Sequence, residues 1–110
     1  MSGPNSNLPW SEQYRLVAKE YVALKAAADL LEECKSATLA QRMAALGDMP
    51  VSRAEMTVKA SEEWADYIAK MVAAREQAEM KRVHLEYIRM KFQEWSSENA
   101  TARAEMRLAS

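Results

Sequence analysis

From Ala60 to Met106 the large apolar residues recur at alternating four- and three-residue steps, with polar residues filling the positions between them. Ala60, Trp64, Tyr67, Met71, Ala74, Ala78, Leu85, Ile88, Phe92 and Trp95 fall on one heptad seam. Ala102 and Met106 continue it, and Lys81 and Asn99 interrupt it. No glycine follows Gly47, and Pro50 is the last proline, so nothing beyond the turn removes a helical hydrogen bond. The pattern predicts a long helix two over about 53–108, apolar along a stripe that it cannot bury by itself.

A second stripe precedes it: Tyr14, Val17, Tyr21, Leu24, Ala28 and Leu31, resuming at Leu39, Met43 and Leu46. It predicts helix one over about 11–46. The eleven-residue step from Ala28 to Leu39 has the spacing of a stutter, which locally unwinds a supercoil, and Lys35 falls inside it. Gly47 stands where a left-handed C′ residue ends a helix, and Asp48-Met49-Pro50 follows as a turn. Ser52 and Glu55 then have the spacing of a capping box that opens helix two, with Val51 set to staple against Met56. Residues 1–10 carry Gly3, Pro4 and Pro9 among Ser and Asn, which predicts a flexible arm ahead of a single domain over 11–110.

Two helices joined by so short a turn run antiparallel, so the expected fold is an all-α, coiled-coil-like helical hairpin. Its arms are unequal, roughly 54 Å against roughly 85 Å at 1.5 Å per residue. Pairing outward from the turn sets Leu31 near Tyr67, Leu24 near Ala74 and Tyr14 near Leu85. Phe92, Trp95, Ala102 and Met106 then lie beyond helix one, and exposed rings of that kind imply a covering surface. Either a second subunit covers them or helix two bends at Ser96-Ser97. With no glycine or proline to make a bend, the expectation is a homo-oligomer assembled through these four residues.

Composition narrows the reading. A chain of 110 residues has room for one small domain with a narrow core, which favours assembly. Hydrophobic residues make up 49% of it, many of them alanine and gap-filling methionine. Fifteen basic residues against sixteen acidic ones leave no net field toward nucleic acid or an anionic membrane. The single cysteine, Cys34, rules out an intramolecular disulfide and predicts a buried free thiol in a reducing compartment. No signal peptide or membrane-length apolar run stands out, so the expected setting is cytoplasmic, without membrane contact.

Chemistry-bearing constellations are sparse. His84 is the only histidine and Cys34 the only thiol, which leaves no catalytic pair and no ordinary zinc site. Glu32 and Glu33, and Glu62, Glu63 and Asp66, read as solvated helix faces. No enzyme activity, cofactor or metal is expected. One charge pattern rises above this background: Arg75, Arg82 and Arg89 stand seven residues apart, Ser96 takes the next rung and Arg103 the one after. At about 10 Å per heptad such a ladder is able to follow a phosphate backbone, with Tyr87, Phe92 or Trp95 stacking on bases. Equally, Arg75 with Glu79 and Arg82 with Glu86 form ordinary intrahelical pairs or interface charges that set register. Lys35 and Arg42 make a weaker basic site on helix one. Trp64, Tyr67, Tyr14 and Tyr21 read as core, and Trp10 as closing the open end.

Taken together, several short stretches resemble the UvsY-type recombination mediators of tailed phages. They are Glu33-Cys34-Lys35, Arg42-Met43, Val51-Ser52-Arg53-Ala54-Glu55, Ala60-Ser61-Glu62-Glu63-Trp64, Leu85-Glu86-Tyr87-Ile88 and Arg103, within about two thirds of the chain. The resemblance implies a phage or prophage protein, a ring-like homo-oligomer that binds single-stranded DNA and helps load a recombinase onto strands coated by single-strand-binding protein. It maps that family's basic cluster onto Lys35 and Arg42. The alternative in another class is a coiled-coil adaptor or structural protein with no nucleic-acid contact.

Overall fold

A computed structural model describes residues 8–109, and most of the predicted arm lies outside them. The described chain is all-α, with four helices and no strand: α1 (Trp10–Glu33), α2 (Lys35–Ala45), α3 (Val51–Lys59) and α4 (Glu62–Ala109). Each of the two predicted helices is therefore divided, and each division has a local cause.

Helix one divides at Cys34, inside the predicted stutter. The Cys34 amide still donates to the Leu30 carbonyl, and the Thr38 amide to Cys34. The Leu31 carbonyl, which an unbroken helix presents to the Lys35 amide, accepts the Tyr67 hydroxyl at 2.5 Å. A side chain from α4 has taken a lone pair that the α1 ladder would use. Cys34 is exposed, not buried as expected, because it stands one residue off the apolar stripe of α1.

Helix two divides at Ala60 and Ser61. The Ser61 hydroxyl donates to the Val58 carbonyl at 2.6 Å and accepts the Trp64 amide at 3.2 Å, so one side chain closes α3 and opens α4. Glu62 and Glu63 occupy the first turn of α4, where the helix dipole favours negative charge. Ala60, predicted on the seam, is exposed in this junction.

The turn at the other end of α2 follows expectation. Gly47 has φ +84° and donates from its amide to the Ala44 carbonyl at 3.1 Å, one of the two bonds of a Schellman closure. The predicted capping box does not form. Pro50, not Ser52, precedes the first helical residue, and its carbonyl accepts the Ala54 amide at 2.9 Å. Glu55 pairs instead with Lys59 at 2.8 Å, and Val51 and Met56 are both exposed, so no staple joins them. Proline at the cap fixes the entry backbone without a side-chain bond.

Two compact units divide the chain. One takes Val22–Ala78, the other the chain up to Tyr21 together with Glu79 onward. In the first, α2 packs on α3, and Ala28, Ala54, Val58, Trp64, Met71 and Ala78 are buried. Trp64 stacks on Tyr67 with ring centroids 5.5 Å apart, and Arg75 reaches Glu32 at 3.5 Å. In the second, Val17 and Ile88 are buried. Lys81, the seam's charged interruption, forms an ion pair with Glu20 on α1. Its side chain is only 22% exposed, so the stem lies along the seam while the ammonium reaches a partner. Residues expected on the seam from Trp64 to Ile88 are buried or half-buried throughout. Beyond them α4 runs on through Ser96-Ser97 to Ala109 without a break.

Two substitutions test these junctions. A Cβ added at Gly47 meets nothing within 4 Å, so Gly47→Ala carries only the cost of its left-handed backbone. Thermal unfolding should drop by about 5 °C, corresponding to about 1 kcal/mol. Tyr67→Phe should lose about 1 kcal/mol in urea titration by removing the bond to Leu31, and an unchanged midpoint would show that the hydroxyl does not hold α1 to α4.

Candidate functional site

The most distinctive surface lies in the unit formed by the start of α1 and the second half of α4. Pro9 is what fixes the beginning of α1: its carbonyl accepts the Glu12 and Gln13 amides at 3.0 Å, and the Gln13 side chain donates to the Leu8 carbonyl at 2.8 Å. These bonds order the chain from Leu8 into the first turn of α1. Trp10, Ser11 and Tyr14 then line, with Ile88, Arg89 and Phe92, a cleft of about 260 Å³ whose walls are almost wholly apolar. A wider depression of about 710 Å³ joins Leu8, Pro9, Trp10, Ser11 and Gln13 to Phe92 and Trp95.

This arrangement corrects the expectation that Phe92 and Trp95 lie out of reach of helix one. The helix begins at Trp10 rather than Ser11, and the residues around its start come up beside both rings. Phe92 and Trp95 remain 44% and 50% exposed, with centroids 6.0 Å apart and planes tilted by 33°. Their neighbours shape them into a concave aromatic patch and do not cover them. Ala102 and Met106 are exposed farther along α4.

The basic residues behave differently. Lys35, Arg42 and Arg75 belong to the Val22–Ala78 unit, and Arg82, Arg89 and Arg103 to the other. Each ladder rung has a partner, though not the predicted one. Arg75 bridges to Glu32 on α1 instead of Glu79, Arg82 pairs with Glu79 at 2.8 Å instead of Glu86, and Arg89 pairs with Glu86 at 3.0 Å. Arg103 donates to the Asn99 carbonyl at 3.3 Å. The Glu79 hydrogen bond holds the Arg82 pKa above its ordinary value, and the Glu94 hydrogen bond does the same for Lys91. Exposed pairs of this kind add little stability, but they offset the positive charge of Arg75, Arg82 and Arg89.

Lys35 is exposed and Arg42 half-buried on α2. Among the described residues no group of three or more His, Cys, Asp or Glu side chains is placed to hold a metal ion, and no helix is long and apolar enough to cross a membrane.

Sequence reasoning missed two features of this surface. The sequence reads Trp10 as closing the open end and Tyr14 as core; both line the aromatic cleft, and Tyr14 is 43% exposed. Met80, Val83, Tyr87 and Met90 are all more than half exposed along α4. Their three- and four-residue spacing was present in the sequence as a second stripe, masked by the stronger seam on the other face. Compared with protein-family models, with curated proteins and with solved structures, the chain finds no match in any of the three.

Proposed function

We infer that the protein is a non-enzymatic assembly scaffold: an antiparallel helical hairpin with unequal arms that forms a homo-oligomer through its aromatic end. The observation that carries this reading is the concave, apolar, half-exposed patch that Trp10 and Tyr14 on α1 form with Phe92 and Trp95 on α4. Burying an aromatic side chain contributes about 1.5–3 kcal/mol, so a cluster of four makes a strong anchor for a flat or convex apolar partner. The pairs support the hairpin: Glu20 with Lys81 and Tyr14 beside Ile88 descend along α1 as they climb along α4. Ala102 and Met106 extend the same face toward the end of α4. A setting in the cytoplasm belongs to this reading.

A second reading, the single-stranded DNA-binding recombination mediator of a phage, draws on one specific observation. Arg89 lines the cleft beside Phe92, which combines a cation with rings able to stack on unpaired bases. In that reading Arg75, Arg82 and Arg89 exchange their carboxylate partners for phosphates, Arg103, Lys35 and Arg42 add further phosphate contacts, and a recombinase or single-strand-binding protein is the further partner. The acidic partners of the ladder weigh against it.

Sedimentation of the double variant Phe92→Ser/Trp95→Ser tests the first reading. Its mass should fall below that of the parent, to a smaller multiple of the single-chain 12.4 kDa, while its helical circular dichroism is unchanged. Equal mass for variant and parent would sink it. Titration of a labelled oligonucleotide at low and high salt tests the second: Arg82→Glu/Arg89→Glu should abolish a salt-dependent signal, and no signal at low salt removes the DNA role.

A further inference from the structure

Met80, Val83, Tyr87 and Met90 follow one another at three-, four- and three-residue steps. At about 100° per residue their stripe is turned roughly 150° from the line of Lys81, Leu85 and Ile88, which faces α1. In heptad terms Met80 and Tyr87 stand at a, and Val83 and Met90 at d. The two edges of the stripe differ in charge: Glu79 and Glu86 occupy one, His84 and Lys91 the other.

This asymmetry selects the occupant. Two copies set parallel and in register bring the acidic edge of each against the basic edge of the other, with Glu86 facing the partner subunit's Lys91. An antiparallel pair sets Glu79 against the partner subunit's Glu86 and Lys91 against the partner subunit's His84, which repel or add nothing. We propose that this face of α4 binds a second copy of the chain, parallel and in register, with Val83 opposite the partner subunit's Val83. The same-helix pairs of Glu86 with Arg89 and Lys91 with Glu94 are exposed and rearrange readily to meet a partner. The contact lies on the opposite side of α4 from the aromatic patch and stands on its own residues. A copy that uses both faces touches two neighbours, the valence of a closed ring or a larger assembly.

Cysteine crosslinking tests the geometry. The background is Cys34→Ser, because Cys34 is exposed and would crosslink by itself. Under mild oxidation Val83→Cys in that background should form a covalent dimer much faster than Ala40→Cys, an exposed control on α2. Equal rates overturn the proposal. Disappearance of the Val83→Cys dimer when Phe92→Ser/Trp95→Ser is added also overturns it, since the dimer would then belong to the aromatic patch. Charge reversal tests the register: Lys91→Glu should weaken self-association roughly fivefold, and Glu86→Lys/Lys91→Glu should restore it. Stronger association of the Glu86→Lys single variant indicates the antiparallel arrangement and rejects the parallel one.

Discussion

A helix that is apolar along one stripe for most of its length has to lay that stripe against something, and α4 is such a helix. Its buried residues Trp64, Met71, Ala78 and Ile88 are the core of this small protein, and the elements that accompany α4 are arranged to keep them from water. Ala28 and Val17 on α1 supply the opposing surface in the two units, and Ala54 and Val58 on α3 add to it in one. The larger buried side chains Trp64, Met71 and Ile88 come from α4, and the smaller Val17, Ala28, Ala54 and Val58 from the elements beside it, so the seam stays narrow. A narrow seam buries limited apolar area, which leaves large hydrophobic residues over at the surface.

Polar interactions serve the seam by fixing its ends and gaps. Tyr67 carries its ring into the core beside Trp64 and its hydroxyl to the Leu31 carbonyl, so one residue contributes packing and a tether to α1. Lys81 would leave a charge on an apolar line without Glu20 to receive it. Ser61 joins α3 to α4 by satisfying a carbonyl of one and an amide of the other. Each meets the rule that a polar group near a core needs a partner, and each does so with a single side chain.

The leftover apolar surface connects this economy to function. Two groups of it lie on opposite sides of α4, the aromatic patch that α4 shares with the start of α1 and the stripe from Met80 to Met90, and single residues such as Val22, Leu30, Val51 and Met56 are exposed elsewhere. The basic residues around them are paired with carboxylates of opposite sign, so they shape edges more than they create a field. In the proposed scaffold reading these surfaces would hold partners by shape and apolar contact, with charge deciding which way round they sit.

By itself the sequence determined the class, the two stripes and the turn at Gly47, because helical periodicity and a left-handed glycine are local properties written in short-range spacing. It also located the irregularity near Cys34 through the broken heptad count, and the exposed character of Phe92, Trp95 and Met106. Tertiary structure decided what local spacing does not encode. The division at Cys34 coincides with a bond from Tyr67 to Leu31, thirty-six residues apart, and α3 separates from α4 because Ser61 bonds both ways at a place where the apolar pattern continues. The arginine partners and the position of Trp10 beside Phe92 likewise follow from which surfaces meet. A repeat in sequence fixes which face of a helix is apolar; only packing fixes which carbonyl, carboxylate or ring lies opposite it.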